Sequence, residues 1–245
     1  MSESNGFTGK SGLYAQFRPS YPQAALDYLA DDLGLTGADL ADIGCGTGLL
    51  TLAVAPFAGT VYAVDRNSDM LLAFKEAAAG RNNIISSLGQ AEDTGLPDQC
   101  VDAVIAAQAF HFFDRQAFKD ECRRILKKEG GQVILMWNSL LEGDLADRLG
   151  LLSGPKFRSG LLAGNLEMVA GFYLENKYIR RVFPNHQAQT RDMFIGRYLS
   201  SSYAPREGDQ GYDSYILKLG AIFDDSQDKG IFNHPYHTII YSGRL

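Results

Sequence analysis

Apolar positions along the chain fall into short runs separated by glycine, proline and polar residues, and over residues 38–138 two periods alternate. The run "ADLADI" (38–43) reads as a buried strand, and "LLTLAVAPF" (49–57) as a short helix that Pro56 and Gly59 end. "TVYAVD" (60–65) is a second strand. "SDMLLAFKEAAAG" (68–80) is a helix with Ser68 as N-cap, an acid in its first turn and Gly80 at its end. The rhythm then repeats: "NIISSLG" (83–89) and "VDAVIAAQ" (101–108) read as strands. "DRQAFKDECRRILKK" (114–128) is an amphipathic helix capped by Asp114 and stopped at Gly130 and Gly131, and "QVILMWN" (132–138) is a fifth strand. Strands alternating with helices give right-handed crossovers and a mainly parallel sheet covered on both faces.

After Asn138 the strict alternation ends. "YIRRVFPNHQAQT" (178–190) has a strand pattern, "RDMFIGRYLSSSYAP" (191–205) and "YDSYILKLGAIFDD" (212–225) helical ones, and "YHTIIYSGRL" (236–245) is a closing strand. This predicts edge strands added to the sheet together with a helical cover. A length of 245 residues suits one large α/β domain.

Composition narrows the function classes. The chain is 45% hydrophobic and 21% charged, with no apolar run of membrane-spanning length, and the opening "MSESNGFTGKSG" lacks the apolar core of a secretory signal. The expectation is a cytoplasmic protein with no membrane segment. A net charge of −6, with "RRILKK" and "KYIRR" read as solvated faces, argues against nucleic acid as partner. Cys45, Cys100 and Cys122 lack paired spacing, so neither a disulfide framework nor a metal site is expected.

The candidate chemistry lies in "DIGCGTGLL" (42–50). A dinucleotide turn requires G-x-G-x-x-G, but here the glycines are Gly44, Gly46 and Gly48, and Leu49 stands at the third position. Asp42, just ahead of the turn, would repel a pyrophosphate yet attract an α-amino group. Asp65, ending "VYAVD", is placed to accept hydrogen bonds from ribose hydroxyls in either kind of cofactor. The plain alternative for the turn is strand-to-helix packing alone.

Taken in order, "DIGCGTGLL", "VYAVDRNSDML", "GQAEDTGLPDQCVDAV" and "AQAFHFFD" resemble the class I S-adenosylmethionine-dependent methyltransferases, type 11 group. The resemblance covers residues 10–138 well. The later "RYLSSSYAP" and "YSGRL" are similar to a subgroup that includes trans-aconitate methyltransferase-like enzymes. It implies a doubly wound, seven-stranded, mostly parallel Rossmann-like α/β fold in one domain, 1–245. In that domain residues 1–37 form an N-terminal cover, 38–138 the donor-binding core, and 139–245 the acceptor cover and edge strands.

For the site, the resemblance implies S-adenosylmethionine as cofactor. Gly44, Gly46 and Asp42 would surround its methionine moiety, Asp65 would take the ribose hydroxyls, and Arg66 and Met70 would flank the adenine. Ala91 and Glu92 match an "AE" pair bordering the adenine edge, and Gln90 stands where many members carry an acid. Gln108 would lie beneath the methionine part, and Tyr14 and Arg18 would approach the donor carboxylate, for which the guanidinium fork is suited.

His111, in "AFHFFD", has two readings: a general base, or a ring packed between Phe110 and Phe112 in the pocket wall. His186, His234 and His237 lack helical pairing and are not read as metal ligands. Tyr198, Tyr203, Tyr212, Tyr215, Phe223, Tyr236 and Tyr241 suit a core or a tyrosine-lined lid, and Arg197 and Arg206 suit an acidic acceptor. The resulting expectation is methyl transfer to a small-molecule acceptor, with a carboxylic acid as one acceptor class. The alternatives are a catalytically silent S-adenosylmethionine-binding protein and a nicotinamide-dependent oxidoreductase.

Overall fold

The computed structural model describes residues 17–153, 166–201 and 203–245. Its seven strands are β1 (Leu40–Ile43), β2 (Val61–Asp65), β3 (Ile84–Leu88), β4 (Ala103–Ala107), β5 (Gln132–Leu140), β6 (Tyr178–Gln189) and β7 (Phe232–Gly243). They form one sheet in the order β3-β2-β1-β4-β5-β7-β6. β1 pairs in parallel with β2 and β4, β2 with β3, and β4 with β5. The seven-stranded doubly wound expectation is met.

Alternation of side chains along the strands explains why both faces are buried. Ala41, Ile43, Val104, Ala106, Val133, Leu135 and Trp137 belong to one apolar cluster, while Leu40, Ala103, Ile105, Ile134 and Met136 belong to another. Helix α1 (Gln23–Asp27), running on into a wider turn over Tyr28–Asp32, adds Ala25, Tyr28 and Leu29 to the second cluster. Helix α2 (Leu49–Val54) adds Leu50 and Val54 to it. Helix α4 (Arg115–Ile125) adds Phe118, Cys122 and Ile125 to the first cluster. The strand order reverses between β1 and β4, so the crevice at their C-terminal ends is where this architecture collects ligands.

Two expected helix boundaries move. Helix α3 (Ser68–Ala77) is capped by Asn67, not Ser68: Asn67 is extended, and its Oδ1 accepts from Asp69 N at 2.9 Å and Met70 N at 3.3 Å. Asp114 caps α4 as expected, accepting from Gln116 N and Ala117 N, but α4 ends at Ile125, ahead of the lysines. There the carbonyls of Arg124 and Ile125 take the N–H groups of Gln99, Cys100 and Val101, so the last turn is satisfied without more helix. Pro184 sits inside β6, an edge strand of the sheet, the place in a sheet where proline is tolerated.

The chain divides into two compact units. One comprises residues 20–138, 163–183 and 238–245 and contains the whole 38–138 segment. The other comprises residues up to Pro19, 139–162 and 184–237. In the latter, α5 (Asp144–Ser153), α7 (Arg191–Leu199) and α8 (Tyr212–Ser226) bury Leu149, Phe194, Tyr198, Leu219 and Phe223 around Phe232. The short helix α6 (Leu166–Val169) belongs to the first unit and buries Val169. No helix among the described residues is long and apolar enough to cross a membrane.

Candidate active site

Strand β1 ends at Ile43 and the chain turns through Gly44, Gly46 and Gly48, all with positive φ (74°, 57° and 81°), before α2 begins at Leu49. Two of these glycines do different work. A Cβ on Gly48 would come within 2.1 Å of the Phe74 ring, so the early third glycine is required by packing against α3. A Cβ on Gly46 would meet nothing within 4 Å among the described residues, so the backbone there borders open space. Gly44 lies against Ala109 and Phe113 of the segment after β4.

Asp42, at the third position of β1, is buried. Its Oδ2 accepts from Thr51 Oγ1 at 2.5 Å, and its Oδ1 has no hydrogen-bond partner among the described residues. Thr47 Oγ1 in the turn is likewise buried without a partner among them. Burial pushes the Asp42 carboxyl up to about 6, against the pull of the Thr51 bond and with a further push from the charge of Asp65. Burial also raises Asp65, opposed by its backbone hydrogen bonds. The Cys45 thiol, pushed well up by burial and by both aspartates, stays protonated and inert. Two carboxylates that resist ionisation beside a turn with an open backbone make a cradle for a cationic ligand. They oppose a pyrophosphate.

Asp65 is fixed in place by the same turn: its Oδ2 accepts from Gly46 N at 2.8 Å and its Oδ1 from Asn67 N at 2.8 Å. Each oxygen keeps a further lone pair for a ligand hydroxyl. Arg66 is exposed, and Met70 on α3 is buried. Beyond β3, Gln90 is exposed and pairs through its backbone with Asp93; Ala91 is buried. The Glu92 carboxylate is used locally, its Oε1 accepting from Asp114 N at 2.8 Å at the start of α4. That bond ties the segment after β3 to the segment after β4.

Gln108, directly after β4, has φ 58°, a left-handed conformation that costs a non-glycine residue about 1 kcal/mol. Its backbone N donates to Met136 O at 2.9 Å and its Nε2 to Asn138 O at 3.1 Å. Asn138 in turn donates from Nδ2 to Ser20 O at 3.2 Å and accepts from Thr238 Oγ1 at 2.6 Å. These bonds hold the strained residue at the C-terminal end of β4. His111 lies in a short turn, Phe110–Phe112. Phe110 is fully buried, His111 is exposed, and its ring stands 4.0 Å from that of Phe112. It does not pack between the two phenylalanines.

The residues expected to gather around the donor thus fall together on the ends of β1, β2, β3 and β4, with two exceptions. Arg18 belongs to the other unit, where its Nη2 donates to Ser200 O at 3.3 Å. Tyr14 lies outside the described residues. Sequence reasoning missed Thr47, Thr51, Asn67 and Asn138. Only Asn67, the residue before an evident helix start, carried a local signal. No group of three or more potential metal ligands occurs among the described residues.

Residues 41–134 match the family described as "Methyltransferase domain". An uncharacterized methyltransferase of Mycobacterium tuberculosis is 37% identical over 133 residues, which is 54% of this chain and 52% of that protein. A Saccharomyces cerevisiae protein named for S-adenosylmethionine-dependent methyl transfer is 32% identical over 126 residues, 49% of this chain and 43% of its own. The chain therefore spans about half the length of these relatives. Among solved structures, a type II methyltransferase from Anaeromyxobacter dehalogenans superposes with a TM-score of 0.61 at 25% identity, covering 93% of this chain and 98% of that one. A methyltransferase of an antibiotic biosynthesis pathway in Anabaena variabilis shares the fold, with a TM-score of 0.63 at 19% identity over 92% of this chain and 98% of its own. The glycine turn, Asp42 and Asp65 all lie within residues 41–134, the stretch that matches the methyltransferase domain.

Proposed function

We propose that the protein transfers a methyl group from S-adenosylmethionine to a small-molecule acceptor, with a carboxylic acid the favoured acceptor class. The observation that carries the donor reading is the pair formed by Asp42 Oδ1, buried without a partner among the described residues, and the open face of Gly46. A buried carboxylate oxygen with no donor costs on the order of 1–3 kcal/mol or more, and an α-ammonium group is the donor that would satisfy it. Asp65, held by Gly46 N and Asn67 N, would take the ribose hydroxyls. Met70 and Ala91 would supply apolar surface for the adenine.

The bound donor supplies a methyl group already activated on a sulfonium, so the chain's residues have to align the acceptor and exclude water. A carboxylate is deprotonated at neutral pH and needs no base, which fits an exposed His111. The net charge of −6 supports a small acceptor over a nucleic acid.

Titration calorimetry of the full chain against S-adenosylmethionine, S-adenosylhomocysteine, NAD and NADP tests the donor. The adenosyl compounds alone are expected to bind, and Asp65→Ala to weaken them by about tenfold or more, the worth of a charge-assisted hydrogen bond of about 1.5–3 kcal/mol. Binding of a nicotinamide cofactor instead would overturn the reading. Turnover is then followed as S-adenosylhomocysteine formed from panels of small acids, phenols and amines. A protein that binds the donor but methylates none of them is the silent alternative. His111→Ala is expected to leave donor binding unchanged and to lower turnover by less than about tenfold, below the range for loss of a general base. A complete loss of turnover with intact binding would make His111 the base.

A further inference from the structure

The unit that contains residues 184–237 carries a polar cluster built on Arg197. Arg197, on α7, is partly buried, and its guanidinium has only neutral partners among the described residues. Its Nε donates to the Tyr236 hydroxyl at 3.2 Å and its Nη1 to Ser201 Oγ at 3.4 Å. The group lies 5.5 Å from the ring centre of Tyr198 and 5.9 Å from that of Tyr236. Among the described residues its Nη2 makes no hydrogen bond, and no carboxylate pairs with it.

The neighbours hold this cation in one orientation. His234 is fully buried, its ring stacked on Tyr236 with centroids 4.0 Å apart and planes 2° apart. Its Nε2 stands 2.6 Å from the Tyr198 hydroxyl and 3.1 Å from the Tyr236 hydroxyl. Burial, and then the charge of Arg197, keep His234 well below the usual imidazole range, so the ring is neutral. Since Arg197 can only donate, the Tyr236 oxygen accepts from it. The other ring nitrogen of His234, Nδ1, is buried without a partner among the described residues. The chain Arg197–Tyr236–His234 therefore fixes the guanidinium and leaves one edge of its fork unused, while Nδ1 stays unsatisfied.

A partly desolvated guanidinium with no anion, and a second uncompensated group kept behind it, is costly unless an anion arrives from outside. We infer that Arg197 is a binding residue for the carboxylate of a small-molecule ligand. One free guanidinium edge among tyrosine rings fits a planar, singly charged carboxylate. A phosphate dianion calls for more donors than a single fork supplies.

Calorimetry on the full chain saturated with S-adenosylhomocysteine decides the question, with benzoate, succinate and citrate as probes and inorganic phosphate as the competing anion. At least one carboxylate is expected to bind. Arg197→Gln should weaken it by about tenfold or more, and Arg197→Lys should restore only part, because a point charge does not replace the fork. S-adenosylhomocysteine affinity should stay within about twofold in both variants, and the ligand-free Arg197→Gln protein should melt no lower than wild type. The inference is overturned by equal carboxylate binding in wild type and Arg197→Gln, by failure of every carboxylate to bind the donor-loaded protein, or by preference for phosphate. If S-adenosylhomocysteine itself does not bind, the methyl-transfer reading falls, and the same carboxylate titration of the ligand-free chain still decides Arg197.

Discussion

Gly48→Ala is expected to destabilise the protein by about 3 kcal/mol, a left-handed backbone penalty of about 1–2 kcal/mol plus an overpacking cost of about 1–3 kcal/mol. Gly48 has φ 81°, and its added methyl would lie 2.1 Å from Phe74 Cδ2 and 3.1 Å from Cγ. Phe74 is fully buried, in a cluster with Ala63 and Leu71, so its ring has no free direction in which to retreat. Gly46→Ala carries only the backbone penalty, about 1 kcal/mol, because nothing described stands within 4 Å of the added methyl. That methyl instead fills the space proposed for the donor, so S-adenosylhomocysteine binding should fall by about tenfold or more, the effect of a loss of about 1.4 kcal/mol or greater. Urea unfolding and calorimetry on both variants separate the two roles. Wild-type affinity in Gly46→Ala would show that the open face is not the cradle, and an unshifted midpoint in Gly48→Ala would show that Phe74 does not set the turn.

The contrast between the two glycines bears on what a sequence can disclose. Spacing alone shows that the third glycine stands one residue early for a dinucleotide turn, but the reason is Phe74, 26 positions along the chain. The central strands were legible because strand alternation and buried runs are local patterns, as were Asp114 as a cap and Asp65 at the end of β2. The true end of α4 was not, since residues 99–101 capture its last carbonyls from outside the helix. The same holds for the site. Asp42 and Asp65 stand out because a carboxylate at the end of an apolar run is conspicuous. Asn138 looks ordinary until Gln108, Ser20 and Thr238 converge on it from separations of 30, 118 and 100 residues. His234 and Arg197 are 37 residues apart and are joined through Tyr236 and Tyr198.

Asp42→Asn is expected to weaken donor binding by about a hundredfold at about pH 7.5 while stabilising the ligand-free protein, because the two effects have one cause. The Asp42 carboxyl stands at about 6 in the fold against an ordinary 3.8. A carboxylate raised in this way binds its proton more tightly in the native state than in the unfolded chain. Its contribution to stability is therefore full below about pH 4 and is lost as pH climbs through about 6. From there upward the ionised group costs on the order of 3 kcal/mol, about 1.4 kcal/mol for each tenfold difference in proton affinity between the folded and unfolded chain. Asparagine keeps the oxygen that accepts from Thr51 and carries no charge, so the melting-temperature advantage of Asp42→Asn should be largest near about pH 8 and shrink towards about pH 5. Donor affinity runs the opposite way. An α-ammonium group pairs with the ionised form, so wild-type affinity should hold between about pH 7 and 8 and then fall, approaching about tenfold per pH step below about 6. In Asp42→Asn the profile should be much flatter, retaining only the weaker dependence of Asp65, whose carboxyl burial raises against its backbone hydrogen bonds. Melting curves and calorimetric titrations of both proteins from about pH 5 to 8 check the pair of profiles. A wild-type affinity that does not fall below about pH 6, or an asparagine variant that binds as well as wild type, would remove Asp42 from the donor site and leave its buried, half-partnered carboxylate without the ligand that explains it.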